Sequence, residues 1–374
     1  MSSPTVNSPI GEFNFAANSS PDVIGERCNV IERRAKAYFT KAEVTRCAEK
    51  QGSGDSKDNM SRAQWCTFID AVGSNLGLPQ NTISTAQLLY NRFFLFQPSK
   101  DFASAKQKTD LCITCLFVST KIEETYKKLK DILVAAYQVK HPEGPEINAE
   151  SQTLEEQRRR VIQNERTIVE TICFDFQFVL PHKLLVKFVK KLKGDKYLYL
   201  KAYNIVNECY KTTVCLRFPP AAMATASIFL ATKLLHRENF PFTIHNMPWY
   251  KIFLVKIEDI EEISYLILDH FILESSSNPD DSANEEYTQL KLSISQQAKV
   301  REAAMEDVTM NNIDIESNGD SLQMINGASK DHTFNINKND FFSLFFFFVD
   351  INVSIHEHAQ LVFGERILLN LYLF

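Results

Sequence analysis

Two stretches of this chain repeat one another, and that repetition limits the possible folds more than any other feature. CLFVSTK, ending at Lys121, aligns with SIFLATK, ending at Lys233, so that Phe117 matches Phe229, Thr120 matches Thr232 and Lys121 matches Lys233. Farther on, ERTIVETICF from Glu165 aligns with EISYLILDHF from Glu262. The first pair is offset by 112 residues and the second by 97. The polar run HPEGPEINAESQTLE accounts for the difference as a loop extension of the first copy only. Self-similarity at a fixed period marks duplicated supersecondary units, and each unit here has roughly the size of a domain.

The units read as helical. TISTAQLLYNRFFLF and ILVAAY carry apolar residues at three- and four-residue spacing, the pattern of a packed helix. Only 11 glycines and 13 prolines among 374 residues argue against an α/β enzyme with several glycine-rich loops. The expected fold class is therefore all-α: two tandem five-helix repeats over residues 60–176 and 177–274, without β-sheet between Arg62 and Ile272. In the first repeat the helices are expected over Arg62–Leu76, Thr82–Phe96, Leu111–Thr120, Lys127–Val139 and Leu154–Cys173. An N-terminal helix is expected over 22–50, preceded by a disordered, Ser-Pro-containing segment over 1–21. The polar composition of 275–374 predicts a low-order tail that is dispensable for function, with KLSISQQAKVREAAMEDV the one stretch in it compatible with a short helix.

Several function classes are disfavoured. The formal net charge of −5 gives no sign of the basic excess that nucleic-acid binders carry. Neither a glycine-rich phosphate loop nor a Ser/His/Asp grouping on a recognisable elbow is present, so no enzyme activity and no cofactor are expected. Among the 8 cysteines only Cys112 and Cys115 have CxxC spacing. They sit in an apolar helix without a second ligand pair, which favours core packing over metal. His356-Glu-His358 lacks further ligands, and no metal site is expected. The apolar run Phe341–Val349 falls far short of the ~20 residues a membrane helix needs. MSSPTVNSPIGEF lacks the layout of a signal peptide, and no membrane partner is expected.

Two charged residues are out of place. Lys121 lies one turn beyond Phe117 at the end of the apolar run LCITCLFVST, and Glu165 falls on the stripe formed by Val161, Ile168 and Ile172. A charge on a buried face is costly unless paired, so the two are expected to pair where their helices meet. Either the pair staples the helices internally, with Lys233 and Glu262 doing the same in the second repeat, or it lies at the rim of the core and offers its spare donor and acceptor to a partner.

KIEETYKKLKDI together with NERTIVETICFDFQF resembles the cyclin box, and specifically that of transcriptional cyclins such as cyclins K and T. YNRFFLF resembles the Tyr-x-Arg-Phe segment of the box's second helix, and GLPQNTISTA the turn before it. LVKFVKKLKGDK followed by RFPPAAMATASIFLATK resembles the second box of cyclin K. The likeness spans about Ala37 to Leu273. It implies a nuclear regulatory subunit that binds and activates a cyclin-dependent kinase acting on the RNA polymerase II C-terminal domain, with room for a third subunit and no direct contact to nucleic acid. It further implies that Lys121 and Glu165 hydrogen-bond main-chain groups leading into the kinase's C-helix, with Ile122, Glu123, Glu124 and the pre-box aromatics Tyr38 and Phe39 also facing the kinase. Two departures stand out. The substrate-docking Met-Arg-Ala-Ile-Leu motif of cell-cycle cyclins is Ser61-Arg62-Ala63-Gln64-Trp65 here, and the aspartate that pairs with the box's first arginine is Asn91, which deprives Arg62 of a charged partner. Transcription factor IIB also uses two cyclin-type repeats, but no cysteine pair precedes Met60 at zinc-ribbon spacing.

Overall fold

The computed structural model describes residues 36–50, 56–97, 102, 104–144, 151–237, 243–244, 247–275 and 281–317. Residues 1–35, the Phe341–Val349 run and His356-Glu-His358 lie outside them. The chain divides into a unit over 1–300 and a second over 301–374, of which only the continuation of one helix to Ser317 is described.

The first repeat is built from α2 (Ser56–Asn75), α3 (Gln80–Phe96), α4 (Ala105–Ile122), α5 (Leu129–Lys140) and α6 (Gln152–Thr171), the five helices expected. Helix α4 begins at a capping box, in which Ser104 Oγ accepts from the Gln107 backbone N–H and Gln107 reaches back to the Ser104 N–H. From Leu111 on it is apolar all round, with Leu111, Cys112, Ile113, Cys115, Leu116 and Val118 all buried, so α2, α3, α5 and α6 pack around it. Burying an aliphatic side chain contributes ~1.5–3 kcal/mol, which makes α4 the axis of the repeat. Cys112 and Cys115 are core residues, and burial pushes both thiols well above their ordinary range. Gly77, at φ +63, ends α2 with Leu78 N–H bonded to Gly73 O, a left-handed cap that glycine adopts without strain. Gly73 has a different role: a Cβ there would lie 2.6 Å from Ile83 Cγ1, so the α2–α3 crossing needs a bare backbone.

The second repeat comprises α7 (Pro181–Lys191), α8 (Lys196–Cys209), the one-turn α9 (Val214–Arg217), α10 (Pro220–Leu234) and α11 (Ile257–Ser275). Helix α10 is its axis, packed by α7, α8 and α11. Its helices again number five, one of them a single turn, but the expectation of no β-structure before Ile272 fails here. Thr243–Ile244 (β1) and Met247–Pro248 (β2) form a minimal antiparallel pair, and a 3-10 helix over Trp249–Phe253 follows. Pro241 precedes this stretch in sequence and Pro248 lies within it, and neither suits the interior of a continuous helix. The 3-10 turn is held by Phe253, whose ring stacks on Phe188 at 3.9 Å.

The repeat relation holds in detail at the ends of α4 and α10. Thr120 Oγ1 donates to Phe117 O and Thr232 Oγ1 to Phe229 O. Thr125 N–H closes on Thr120 O at 2.9 Å, and Arg237 N–H on Thr232 O at 3.0 Å. Glu124 (φ 54) and His236 (φ 49) take the same left-handed cap. Lys121 and Lys233 therefore occupy equivalent positions.

Of the helix expected over 22–50, residues 22–35 lie outside the described residues, 36–40 are not helical, and helix α1 spans Lys41–Lys50. Thr40 caps it: its backbone N–H donates to Glu43 Oε2 (2.7 Å) and its Oγ1 accepts from the Glu43 N–H. Residues 36–40 form a strap that joins both repeats. Arg92 Nη2 donates to Ala37 O (2.9 Å) and Lys36 O (3.2 Å), while Phe39 N–H donates to Leu216 O (2.9 Å). Asn91 Nδ2 donates to Tyr210 O (2.8 Å), linking the repeats directly, and Arg62 Nη1 is buried without a hydrogen-bond partner among the described residues.

The region after Ser275 is also corrected in part. Helix α12 (Asp281–Ser317) docks on the second repeat through Tyr287, Lys291 and Ile294, an i, i+4, i+7 stripe. Tyr287 packs against Phe271 at 5.3 Å between ring centroids, Lys291 bonds Asp269 and lies 4.0 Å from the Tyr265 ring centroid, and Ile294 is buried.

Candidate partner-binding site

Lys121 and Glu165 meet as expected, with Lys121 Nζ donating to Glu165 Oε1 at 2.5 Å. The α4–α6 packing brings them together, and the ammonium also lies 4.1 Å from the Phe117 ring centroid, a cation–π contact. Their side chains are 43% and 26% exposed. The pair is therefore at the rim of the core, where each group keeps hydrogen-bonding capacity toward an incoming main chain.

The internal staple is a different pair that the sequence reading missed. Asp110, 2% exposed, accepts from Arg160 Nε at 2.6 Å and from Gln157 Nε2 at 2.7 Å. These three residues tie α4 to α6 three turns before Lys121. Asp110 follows the polar AKQKT, and one acidic residue at the start of an apolar run gives little warning of its burial; only its partners on α6, 47 and 50 residues away, reveal it.

The second repeat does not rebuild the rim pair. Glu262 takes Arg217 Nη2 at 2.6 Å, with Lys41 Nζ at 3.9 Å, and Lys233 lies 5.6 Å from the Phe229 ring centroid. The expected Lys233–Glu262 staple is thus replaced, because α9 inserts an arginine where the first repeat has none.

The other candidate residues divide into two groups. Ile122 is partly buried against the first core and Glu124 is exposed, both beside Lys121. Exposed Tyr126, and Ile162 one turn before Glu165 on α6, add apolar surface there. Glu123 instead accepts from Thr85 Oγ1 at 2.7 Å and pins the end of α4 to α3. Phe39 is buried, edge-on to Phe96 at 5.6 Å, so its ring seats the strap. Tyr38 beside it is half-buried, and its hydroxyl is pushed up by burial against the opposing pull of Arg92.

Comparison with known proteins agrees with this geometry. The cyclin N-terminal domain family matches residues 34–177. CTD kinase subunit beta of Schizosaccharomyces pombe is 38% identical over 206 residues, covering 54% of this chain and 59% of that protein. Cyclin-T1-4 of Arabidopsis thaliana is 31% identical over 241 residues, or 63% of this chain and 43% of that protein. Cyclin-K of Homo sapiens is 31% identical over 261 residues, or 67% and 43%. The chain thus spans 43–59% of the length of these relatives. A chain in the crystal structure of the yeast RNA Pol II CTD kinase CTDK-1 complex superposes with a TM-score of 0.57 at 21% identity, covering 69% of this chain and 83% of that one, which speaks to the fold. With a match over residues 34–177, five helices in place there and cyclins T and K among the similar proteins, this chain carries a cyclin N-terminal domain.

Proposed function

We propose that the chain is a nuclear regulatory subunit that binds and activates a cyclin-dependent kinase acting on the RNA polymerase II C-terminal domain. The observation that carries this reading is the rim pair. Lys121 ends the core helix α4 and meets Glu165 from α6; both stay partly open to solvent, have exposed Ile162 and Tyr126 as neighbours, and differ from their counterparts in the second repeat. In this reading the Lys121 ammonium serves a main-chain carbonyl of the kinase and the Glu165 carboxylate serves an N–H. Ile122, Glu124 and Tyr38 add contact surface, while Glu123 and Phe39 hold the surface in shape from within. The chain itself performs no chemistry; it binds the active arrangement of the kinase better and so shifts its population. The names of the relatives support the choice of kinase class.

Affinity capture with the full chain, followed by identification of the co-purifying kinase and an assay on a polymerase-tail peptide, tests the proposal. The expected result is one kinase captured by the wild-type chain and lost with Lys121→Ala/Glu165→Ala. Equal capture by both chains would overturn it.

A further inference from the structure

Helix α7 carries a concentration of positive charge that neither the fold nor the rim pair uses. Its sequence PHKLLVKFVKK contains no acidic residue. His182, Leu185, Phe188 and Val189 are buried on one face. Lys183, Lys187, Lys190 and Lys191 stand on the other, and Lys193 and Lys196 continue the patch across the turn into α8. Among the described residues, none of these six lysines has a carboxylate partner. Asp195, the acid within the patch, is committed: it caps α8 through the Leu198 N–H at 2.9 Å and pairs with Arg237 at 2.7 Å. By contrast Lys121, Arg160, Arg166, Lys211, Arg217 and Lys291 each meet a carboxylate.

Helix stability does not account for the patch. Lys190 and Lys191 near the C-terminus complement the helix dipole, but Lys183 stands in the first turn, where the dipole disfavours a cation. Lys183–Lys187, Lys187–Lys190 and Lys187–Lys191 are like-charge pairs at i+3 or i+4, each unfavourable to the helix. A chain of net charge −5 thus holds a lysine face against its own helix preferences.

We propose that the α7 lysine face binds a phosphorylated, extended peptide, and specifically product segments of the kinase reaction, held close to the complex that made them. The product assignment rests on the proposed function; the phosphopeptide assignment rests on the face itself. Lys183 and Lys190 are seven residues apart on a helix rising 1.5 Å per residue, about 10 Å. Phosphates at i and i+3 of an extended peptide, at ~3.3 Å per residue, are also about 10 Å apart. Each phosphate brings close to two negative charges and three acceptor oxygens. A lysine ammonium binds it as a point charge with freely rotating donors. A short patch on an otherwise acidic chain suits two discrete phosphates better than the continuous charge of a nucleic acid.

The test is fluorescence anisotropy on the full chain without kinase, using a synthetic peptide with phosphoserines at i and i+3, its unphosphorylated twin and a single-stranded RNA of equal charge. The doubly phosphorylated peptide is expected to bind, weakening as salt rises, with the unphosphorylated twin at least roughly tenfold weaker. Lys183→Glu/Lys187→Glu is expected to abolish binding without changing the melting temperature by more than a few degrees, since both side chains point away from the core. Lys183→Ala/Lys187→Ala keeps the test valid should charge reversal disturb folding. Equal binding of the two peptides, binding unaffected in both variants, or tighter binding of the RNA would each overturn the proposal. Because no kinase is in the assay, its failure leaves the kinase-activating reading standing, and the capture experiment can fail without touching this one.

Discussion

Replacing Lys121 by alanine separates a partner contact from an internal staple, and the structure supplies the magnitudes. The pair is partly exposed, where an ion pair contributes ~0.2–1 kcal/mol to stability, and the Phe117 contact adds about 0.5–1 kcal/mol. Lys121→Ala should therefore lower folding stability by about 1–2 kcal/mol, a few degrees of melting temperature for a fold of this size. Asp110→Ala is the contrasting change. Asp110 is almost fully buried and accepts charge-assisted and neutral hydrogen bonds from Arg160 and Gln157, and losing them costs ~2–4 kcal/mol, so its melting temperature should fall by roughly 5–10 °C. For binding the order reverses. Removing one member of a charge-assisted contact that becomes desolvated in a complex costs ~2–5 kcal/mol, or about 1.5–3.5 decades in Kd. Glu165→Ala should behave like Lys121→Ala, and the double variant should lose less than the sum because each single change orphans the other charge. Glu262→Ala, which frees the buried Arg217, should lower melting temperature and leave Kd unchanged. Thermal unfolding and titration of the captured kinase on these variants provide both quantities. If Lys121→Ala destabilises as much as Asp110→Ala while the folded protein binds the kinase normally, the rim pair is a staple and the reasoning fails.

Other expectations rest on separate parts of the fold. Gly73→Ala should destabilise by about 1–3 kcal/mol in denaturant titration, because the new Cβ meets the well-packed Ile83; an unchanged midpoint would mean that α2 and α3 slide apart freely. Burial pushes the Glu208 carboxyl up, but the His270 hydrogen bond and Lys211 outweigh it and hold it below the ordinary 4.5. A carboxyl with a depressed folded-state pKa stabilises above its unfolded value and loses that contribution as pH falls through the folded one. Glu208→Gln should therefore reduce stability near neutrality and flatten the loss on acidification below about pH 4.5, as read from melting temperature against pH. Truncation after Ser275 removes the α12 contacts to Phe271, Tyr265 and Asp269 and should lower the melting temperature, yet leave kinase affinity intact because the rim pair lies in the other repeat.

Much of the architecture is legible from sequence because it depends on local periodicity. The apolar stripes and the repeated Phe-x-x-Thr-Lys place the five helices of the first repeat and equate Lys121 with Lys233. The match extends to the left-handed caps at Glu124 and His236. Helix starts are less visible: α1 begins at the Thr40–Glu43 cap, although apolar spacing alone continues upstream. The docking stripe of α12 is equally local, but so polar a segment hides three contact residues among its solvated ones.

What only the tertiary structure decides is which charge meets which. Periodicity assigns Glu165 and Glu262 to the same stripe position, yet Glu165 takes Lys121 while Glu262 takes Arg217, because α9 inserts a cation into the second repeat. Asp110, the true staple, looks unremarkable in sequence for the same reason, and Asn91 shows there as a missing acid but not as the bridge to Tyr210. A helix face is determined by residues three and four apart, whereas an ion pair is determined by the approach of segments tens of residues apart. Burial, which separates a stabilising pair from one open to a partner, exists only once those segments have packed.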